Sequence, residues 1–185
     1  GRSFASGVNP FHLGNNQEAS SEAINAYAGL IRWGAFTGQE IGGTAIENLG
    51  IFLYTHEIHA ALEYWYDWDQ ENHPDDWDRD YASVVWGDGY SHSTWWTEDN
   101  EDAYAINVVP ANGDSLYLGW DEDHMASIYD ELVSLKGSED FTKWPGILVE
   151  LNGFGDPSGA LSLMNDWEAG NYSGTTNGYY VPDMS

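Results

Sequence analysis

Apolar residues recur at helical spacing in two neighbouring stretches near the start of this chain. The first stretch predicts a helix that ends at Gly38, a residue suited to the position just after a helix. Its positions, spaced by three or four, are Ile24, Tyr27, Leu30, Ile31, Gly34 and Ala35. The second stretch predicts a helix over residues 44–66, with one face formed by Ile46, Leu49, Leu53, Glu57, Ala60 and Tyr64. Because only residues 37–43 link them, the two helices are expected to be antiparallel neighbours.

After the second helix the pattern becomes irregular. Residues 67–80 are polar, acidic and contain Pro74, so they predict a loop. Residues 81–86 favour a short strand, and residues 87–100 favour irregular structure.

Short helices return in the last third of the chain. Helices are predicted over residues 103–109, over residues 122–135 and from Trp144 onward. The last helix is expected after Asp156, an N-cap residue type that is followed by Pro157 at the first helical position. The elements together predict one mainly α domain over residues 1–185, made of antiparallel helical hairpins with long irregular loops. Such hairpins arranged around an axis form an α/α toroid, of which this length holds a part.

Charge narrows the range of partners. Five basic residues face 31 acidic ones, giving a net charge of −26, so neither nucleic acid nor an anionic membrane is an expected partner. Self-repulsion on this scale is screened by salt, which favours a salty environment; an ordinary acidic extracellular protein is the alternative. Cysteine is absent, which excludes disulfides and thiolate ligands, and no cofactor is predicted.

The chain is also rich in aromatic residues, with 10 tryptophans and 12 tyrosines. Exposed aromatic rings stack on sugar rings, but a single large aromatic more often fills a core. Trp95 and Trp96 lie in a segment rich in Gly, Ser and Thr, where an aromatic has less reason to be buried. One of them is therefore expected to stack on a sugar, and Tyr27 is a similar candidate. Asp114 and Tyr117, close to Pro110, are expected to shape the wall of a binding groove.

Two glutamates stand at the entry to the first predicted helix. If this segment is helical, Glu18 and Glu22 are four residues apart and lie on one side, one turn from each other. Two like charges repel there, which is an odd structural choice, although the helix N-terminus favours carboxylates. The alternative is a capping arrangement in which Asn16, Ser20 or Ser21 caps the helix and a glutamate reaches back to a free N–H. The spacing alone leaves both interpretations open.

Residues 16–27 (NQEASSEAINAY) resemble the signature segment of glycoside hydrolase family 81, the endo-β-1,3-glucanases. The resemblance extends in order over most of the chain. The other similar segments are residues 4–7 (FASG), 30–38 (LIRWGAFTG), 55–58 (THEI), 64–65 (YW), 94–96 (TWW), 106–118 (INVVPANGDSLYL) and 144–161. Ala19 departs from the serine that is usual in the family, which puts one hydrogen bond in doubt.

The resemblance implies an inverting hydrolase that cleaves within β-1,3-glucan chains. The first glutamate of the signature, Glu18 here, is the implied general base, and Glu22 supports it. The implied general acid is an aspartate well upstream of the signature, in a part of the catalytic module expected to precede this chain, so the chain alone is expected to be inactive. The implied location is extracellular. The alternatives are a non-catalytic glucan-binding module and an acidic interaction domain.

Three other motifs give weaker evidence about function. His56 and His59 are three apart, whereas the metalloprotease helix requires histidines four apart, so no metal site is predicted there. The acidic run from Asp67 resembles the start of a calcium loop but lacks the turn glycine and the closing glutamate, which favours a solvated loop. Residues 171–173 match a glycosylation sequon by pattern only.

Overall fold

The computed structural model describes His12, Gly14, residues 16–38 and residues 42–169. These residues form six α-helices, one 3₁₀ helix and one two-stranded antiparallel sheet. In chain order the elements are α1 Ser20–Thr37, α2 Gly43–Tyr64, β1 Val84–Trp86, β2 Gly89–Ser91, α3 Asn100–Ala105, the 3₁₀ helix Gly113–Trp120, α4 Glu122–Lys136, α5 Pro145–Gly155 and α6 Pro157–Glu168. The mainly α prediction is confirmed. Within the described ranges, none of the helices has the length and apolar character that crossing a membrane requires.

Helices α1 and α2 form the predicted antiparallel hairpin, and two glycines allow them to approach closely. A Cβ atom on Gly34 of α1 would lie 2.3 Å from the backbone nitrogen of Glu47. A Cβ atom on Gly50 of α2 would lie 2.7 Å from the backbone nitrogen of Ile31. Gly34 lies farther along α1 than Ile31, whereas its neighbour Glu47 comes earlier in α2 than Gly50. This reversed order is what an antiparallel arrangement requires. The helix backbones therefore meet where side chains are absent.

The buried face of α2 differs from the predicted one. Leu49 and Tyr64 were expected to point inward, but they are 52% and 45% exposed. The buried positions are Gly43, Gly50, Glu57, Ile58, Ala61 and Leu62. The apolar pattern misplaced the face because the close contact with α1 is made by glycines, which carry no hydrophobic signal. Glu57 is on the buried side, as predicted.

A second group of helices follows the sheet. A Cβ atom on Gly155, at the end of α5, would lie 2.4 Å from the backbone nitrogen of Ala126 near the start of α4, so these two helices are also antiparallel. Two caps define the helix starts: Asp121 accepts from the His124 N–H at 3.0 Å, and Asp156 accepts from the Gly159 N–H at 2.9 Å. The predicted N-cap at Asp156, with Pro157 after it, is therefore confirmed.

The main core lies where these helices meet the end of α2 and the segment before β1. Its largest fully buried side chains are Trp65, Tyr66, Tyr81, Tyr104, Phe141, Ile24, Leu118, Met125, Ile128, Leu132, Leu148 and Leu151. The core thus draws on almost every element, but α1 contributes only Ile24 to it.

The short strand predicted within residues 81–86 is present as β1, but its partner β2 and the 3₁₀ helix were not predicted. Residues 87–100 were expected to be irregular, yet Gly87 and Asp88 turn the chain so that Trp86 pairs with Gly89. A Gly-Asp pair is a signal for such a two-residue turn, but the strands are only three residues long and give no measurable alternation. Strand β1 matters for the site because Val85 also pairs with Gln17.

The few cations in the described ranges all form ion pairs. Lys136 contacts the buried Glu101, Lys143 lies 2.9 Å from Asp102, Arg79 lies 3.9 Å from Glu131, and Arg32 contacts Asp114. Glu101 and Asp102 are almost fully buried in α3, so the two lysines neutralise charges that would otherwise be costly inside the fold.

Candidate active site

Glu18 lies immediately before α1 and not within it. Gln17 forms an antiparallel bridge with Val85, with the Gln17 N–H donating at 2.8 Å and the Val85 N–H donating at 2.9 Å. Ala19 then takes a left-handed conformation, with φ 56° and ψ 47°, and α1 begins at Ser20. The prediction that Glu18 and Glu22 share a helix face one turn apart is therefore wrong. The turn at Ala19 directs the chain from the bridge into the helix.

The Glu18 carboxylate is held in a largely desolvated position. The residue is 5% exposed, and its Oε2 accepts a hydrogen bond from the Trp95 backbone N–H at 3.1 Å. Burial raises the pKa of Glu18, the Trp95 N–H opposes this shift, and the negative charge of Glu22 adds to it. A carboxylate with a raised pKa is a better proton acceptor, which is what a general base needs.

Glu22 occupies the first turn of α1 and is exposed. Its N–H donates to the Ala19 carbonyl at 3.0 Å, so its backbone helps to close the turn after Glu18. Its charge acts on Glu18 although the two residues do not share a helix face. The structure therefore brings the two predicted carboxylates together by a route other than helical spacing.

No local side chain caps α1, so the capping alternative is not observed. The N-cap residue is Ala19, which has no side-chain acceptor. The Ser20 N–H instead donates to Oδ1 of Asn107 at 2.8 Å, and Ser21 Oγ donates to the Val109 carbonyl at 2.5 Å. A residue 87 positions away thus supplies the cap.

Trp95 and Trp96 lie on a tight turn beside Glu18. The Thr94 N–H donates to the Thr97 carbonyl at 2.9 Å, and the Thr97 N–H donates back to Thr94 Oγ1 at 3.2 Å. The two tryptophans are 65% and 53% exposed, as expected for rings that meet a ligand. Since the Trp95 N–H also bonds Glu18, the turn joins an aromatic surface to the carboxylate.

Tyr27 and Tyr117 are buried, unlike the two tryptophans. Tyr27 is 8% exposed on the inner side of α1. Tyr117 is 3% exposed and belongs to the main core, and burial raises the pKa of its hydroxyl. A groove wall was expected at Tyr117, and in this structure its ring packs in the main core. The segment from Pro110 to Asp114 is largely exposed, and burial begins at Ser115 within the 3₁₀ helix, an element that the sequence pattern did not predict.

Asp114 lies at some distance from Glu18. Its carboxylate accepts two hydrogen bonds from Arg32, one of them at 2.8 Å, and its carbonyl accepts from the Tyr54 hydroxyl at 3.1 Å. Arg32 follows Glu22 by ten residues on α1, which places this ion pair about 15 Å farther along the helix axis. Asp114 therefore joins the 3₁₀ helix to the α1–α2 hairpin.

In the acidic loop 67–80, the first carboxylate, that of Asp67, stabilises the loop itself. Asp67 is buried, and its two oxygens accept from the backbone N–H groups of Asn72 and His73 at 2.8 and 3.0 Å. These bonds fold the loop on itself. Among the described residues, no group of three or more His, Asp or Glu side chains is arranged to hold a metal ion. The sequon at residues 171–173 and the segment at residues 4–7 lie outside the described residues.

Most enzymes that cleave glycosidic bonds use a pair of carboxyl groups, and the desolvated Glu18 carboxylate beside two exposed tryptophans can supply one of them. Comparison with known proteins identifies the family. The sequence profile of the glycosyl hydrolase family 81 C-terminal domain matches residues 1–179, so this chain belongs to glycoside hydrolase family 81.

Named relatives agree with this assignment. The chain is 39% identical over 166 residues to a glucan endo-1,3-beta-D-glucosidase of Acetivibrio thermocellus, covering 90% of this chain and 21% of the relative. It is 35% identical over 170 residues to a glucan endo-1,3-beta-D-glucosidase of Thermobifida fusca, covering 91% of this chain and 22% of the relative. This chain therefore spans about a fifth of the length of these proteins.

A solved structure shares the fold. It is a glycoside hydrolase family 81 protein from Clostridium thermocellum, in a mutant form. The TM-score is 0.79 at 37% sequence identity, covering 88% of this chain and 22% of that chain.

The sequence pattern missed the residues that hold Glu18 in place. Asn107, the Gln17–Val85 bridge and the Trp95 N–H were not singled out, because backbone groups and long-range contacts leave no trace in local spacing. One signal was present: Asn107 is the only polar residue in the apolar run of residues 105–109. A lone polar side chain in such a run has to find buried partners.

Proposed function

We propose that the protein to which this chain belongs hydrolyses internal β-1,3-glucosidic bonds with inversion, and that Glu18 is its general base. The observation that carries the proposal is the Glu18 carboxylate, buried and bonded to the Trp95 N–H beside two exposed tryptophans. Supporting it, the relatives at 39% and 35% identity are named as glucan endo-1,3-beta-D-glucosidases. Because the substrate is a polymer outside the cell, the proposal includes secretion.

The proposed chemistry is a single displacement. Glu18 takes a proton from a water molecule as that water attacks the anomeric carbon, and the bond from this carbon to the leaving oxygen breaks. A second carboxyl group protonates the leaving oxygen. In inverting enzymes the two carboxyl groups lie about 6.5–9.5 Å apart, with the water on the base side. The acid is proposed to come from a part of the catalytic module not spanned by this chain.

Glu22 has a supporting part in this proposal. Its charge raises the pKa of Glu18, so it strengthens the base without contacting the sugar. Trp95 and Trp96 are proposed to stack on glucose units next to the cleavage point. A stacked ring of this kind contributes on the order of 1 kcal/mol to binding.

The test compares three glutamates in an active polypeptide that contains this segment. Glu18→Gln keeps the shape of the side chain but cannot accept a proton, so kcat on laminarin should fall by about 10²–10⁴-fold or more with little change in affinity. Azide should restore part of the rate and yield an α-glycosyl azide. Glu22→Gln should be milder. Glu122→Gln is the matched control, since Glu122 is also an exposed glutamate in the first turn of a helix.

Two outcomes would contradict the proposal. If Glu22→Gln abolished turnover while Glu18→Gln only slowed it, the wrong carboxylate would have been named. If a β-anomeric product appeared first, inversion would be wrong.

A non-catalytic glucan-binding role is the second candidate, favoured by the exposure of Trp95 and Trp96. It predicts that laminarin oligosaccharides quench tryptophan fluorescence, that Trp95→Ala weakens the quenching, and that no polypeptide containing this segment releases reducing sugar. Sugar release by any such polypeptide would exclude it.

A further inference from the structure

Asn107 is a fully buried polar residue near Glu18. It is 0% exposed and lies two residues after the end of α3, between the apolar residues Ile106 and Val108. An amide in such a position costs stability unless each of its polar atoms finds a partner. The identity of its partners therefore indicates why an asparagine is there.

The side-chain oxygen of Asn107 faces the start of α1. Oδ1 accepts from the Ser20 N–H at 2.8 Å and from Ser20 Oγ at 2.9 Å. The first N–H groups of a helix have no partner within the helix, and Ala19 at the N-cap offers no acceptor. Asn107 thus supplies the cap that the local sequence lacks.

The side-chain nitrogen of Asn107 faces the opposite way, toward the segment that leads into β1. Nδ2 donates to the Tyr81 hydroxyl at 2.6 Å and to the Ser83 carbonyl at 2.9 Å. Both acceptor sites of the oxygen and both N–H groups of the amide are therefore used. The two ends of the amide cannot be exchanged, because the nitrogen would then face the Ser20 N–H.

These bonds hold the chain on both sides of Glu18. Ser20 is two residues after Glu18, and Ser83 is two residues before Val85, which pairs with Gln17. One amide group therefore joins the helix side and the strand side of the turn that presents the carboxylate. Ala19 lies between them in a left-handed conformation that costs roughly 1–2 kcal/mol for an L-residue, so the turn needs outside support.

We infer that Asn107 is a positioning residue for Glu18: by capping α1 and tying it to the strand segment, its amide fixes where the carboxylate meets the attacking water. The inference rests on the proposed function of Glu18. Asn107 itself is buried and is not proposed to touch the substrate. It acts only through the backbone of residues 17–20.

The first experiment measures the Glu18 carboxyl group in this chain, without need of activity. A carbon-13 NMR titration follows the glutamate side chains, and Glu18→Gln assigns the Glu18 signal. In Asn107→Ala the start of α1 loosens and water reaches the carboxylate, so the pKa of Glu18 should fall toward its ordinary value. Ser20→Ala removes one of the two bonds to Oδ1 and should shift it the same way by less.

Asn152→Ala is the matched control, because Asn152 is also a buried asparagine but lies in α5, away from the site. It should lower thermal stability and leave the Glu18 titration unchanged. If Asn107→Ala does not fold, Ser20→Ala decides the question. A Glu18 titration that is unchanged in the folded Asn107 or Ser20 variant would overturn the inference.

The second experiment separates positioning from binding in an active polypeptide containing this segment. Asn107→Ala should lower kcat by about 10–100-fold, the effect of misplacing a catalytic group by about 1 Å, with KM nearly constant. A rise in KM at constant kcat would overturn the inference. If instead Glu18→Gln were fully active, the proposed function would fail, while the NMR titration would still report whether Asn107 holds Glu18.

Discussion

The α1–α2 hairpin and the helices α3–α6 bury their apolar side chains very differently. On the hairpin, Trp33, Phe36, Leu49, Ile51 and Phe52 are among the most exposed large apolar residues that the structure describes. In the other region Phe141, Leu148 and Leu151 are almost fully buried. The hairpin is held by glycine contacts between two backbones, whereas the second region is held by a packed core and by the ion pairs of two lysines with the buried carboxylates of α3.

The hairpin carries the proposed catalytic residue, whereas the second region carries the packed core that stabilises the fold. The proposed base and its left-handed neighbour stand at the start of the hairpin, and both are costly features. Burying Glu18 and straining Ala19 lower stability locally, as is common at functional sites. The turn tolerates these costs because Asn107, which follows α3, and Val85 in β1 support it from outside the hairpin.

Removal of a core ring should produce the largest effect. Phe141→Ala deletes a side chain that is 0% exposed, so the free energy of unfolding should fall by about 3–5 kcal/mol in urea denaturation. Phe36→Ala is the matched control on the hairpin, where the ring is 87% exposed, and it should change the value by less than about 0.5 kcal/mol. A large loss in the Phe36 variant would mean that the hairpin face is covered in solution.

A smaller loss is expected where the hairpin backbones meet. Gly50→Ala places a methyl group 2.7 Å from the Ile31 nitrogen, so the helices must separate, at a cost of about 1–3 kcal/mol. Gly29→Ala is the control in the same hairpin, because a Cβ atom there meets nothing within 4 Å. Its added methyl group should stabilise α1 by about 0.5–1 kcal/mol, since alanine loses less backbone entropy than glycine. Melting curves that rank the two variants the other way would refute the close-packing account.

The smallest effect concerns pH. The pKa of Glu18 is raised in the fold above its ordinary 4.5, so folding favours the protonated form and loses this contribution as pH rises through the folded pKa. Glu18→Gln imitates the protonated form. The variant should therefore equal the parent in stability near pH 4 and exceed it slightly at pH 7. Thermal melts across this range test the sign, with Glu122→Gln expected to show no such gain.

The two regions also differ in how far they could be predicted from sequence. Helices α4 and α6 follow their apolar spacing and their caps at Asp121 and Asp156, because local chemistry defines them. The inward face of α2 could not be predicted, since Gly50 makes its contact by lacking a side chain. Glu18 was predicted from a family motif, but its position outside the helix depends on Val85 and Asn107, which lie far away in the chain.

The ion pairs affect how the binding of a glucan should depend on salt concentration. The four described cations, Arg32, Arg79, Lys136 and Lys143, are each engaged with carboxylates, while the exposed rings of Trp95 and Trp96 carry no charge. A β-1,3-glucan is itself neutral. Added electrolyte would screen the repulsion within a chain of net charge −26, as the predicted salty environment would, without altering the proposed contact between sugar and ring. Ionic strength would therefore distinguish folding from binding. If the apparent affinity for the glucan changes with salt, the change reports the fraction of molecules that are folded, because the affinity of the folded molecules stays constant.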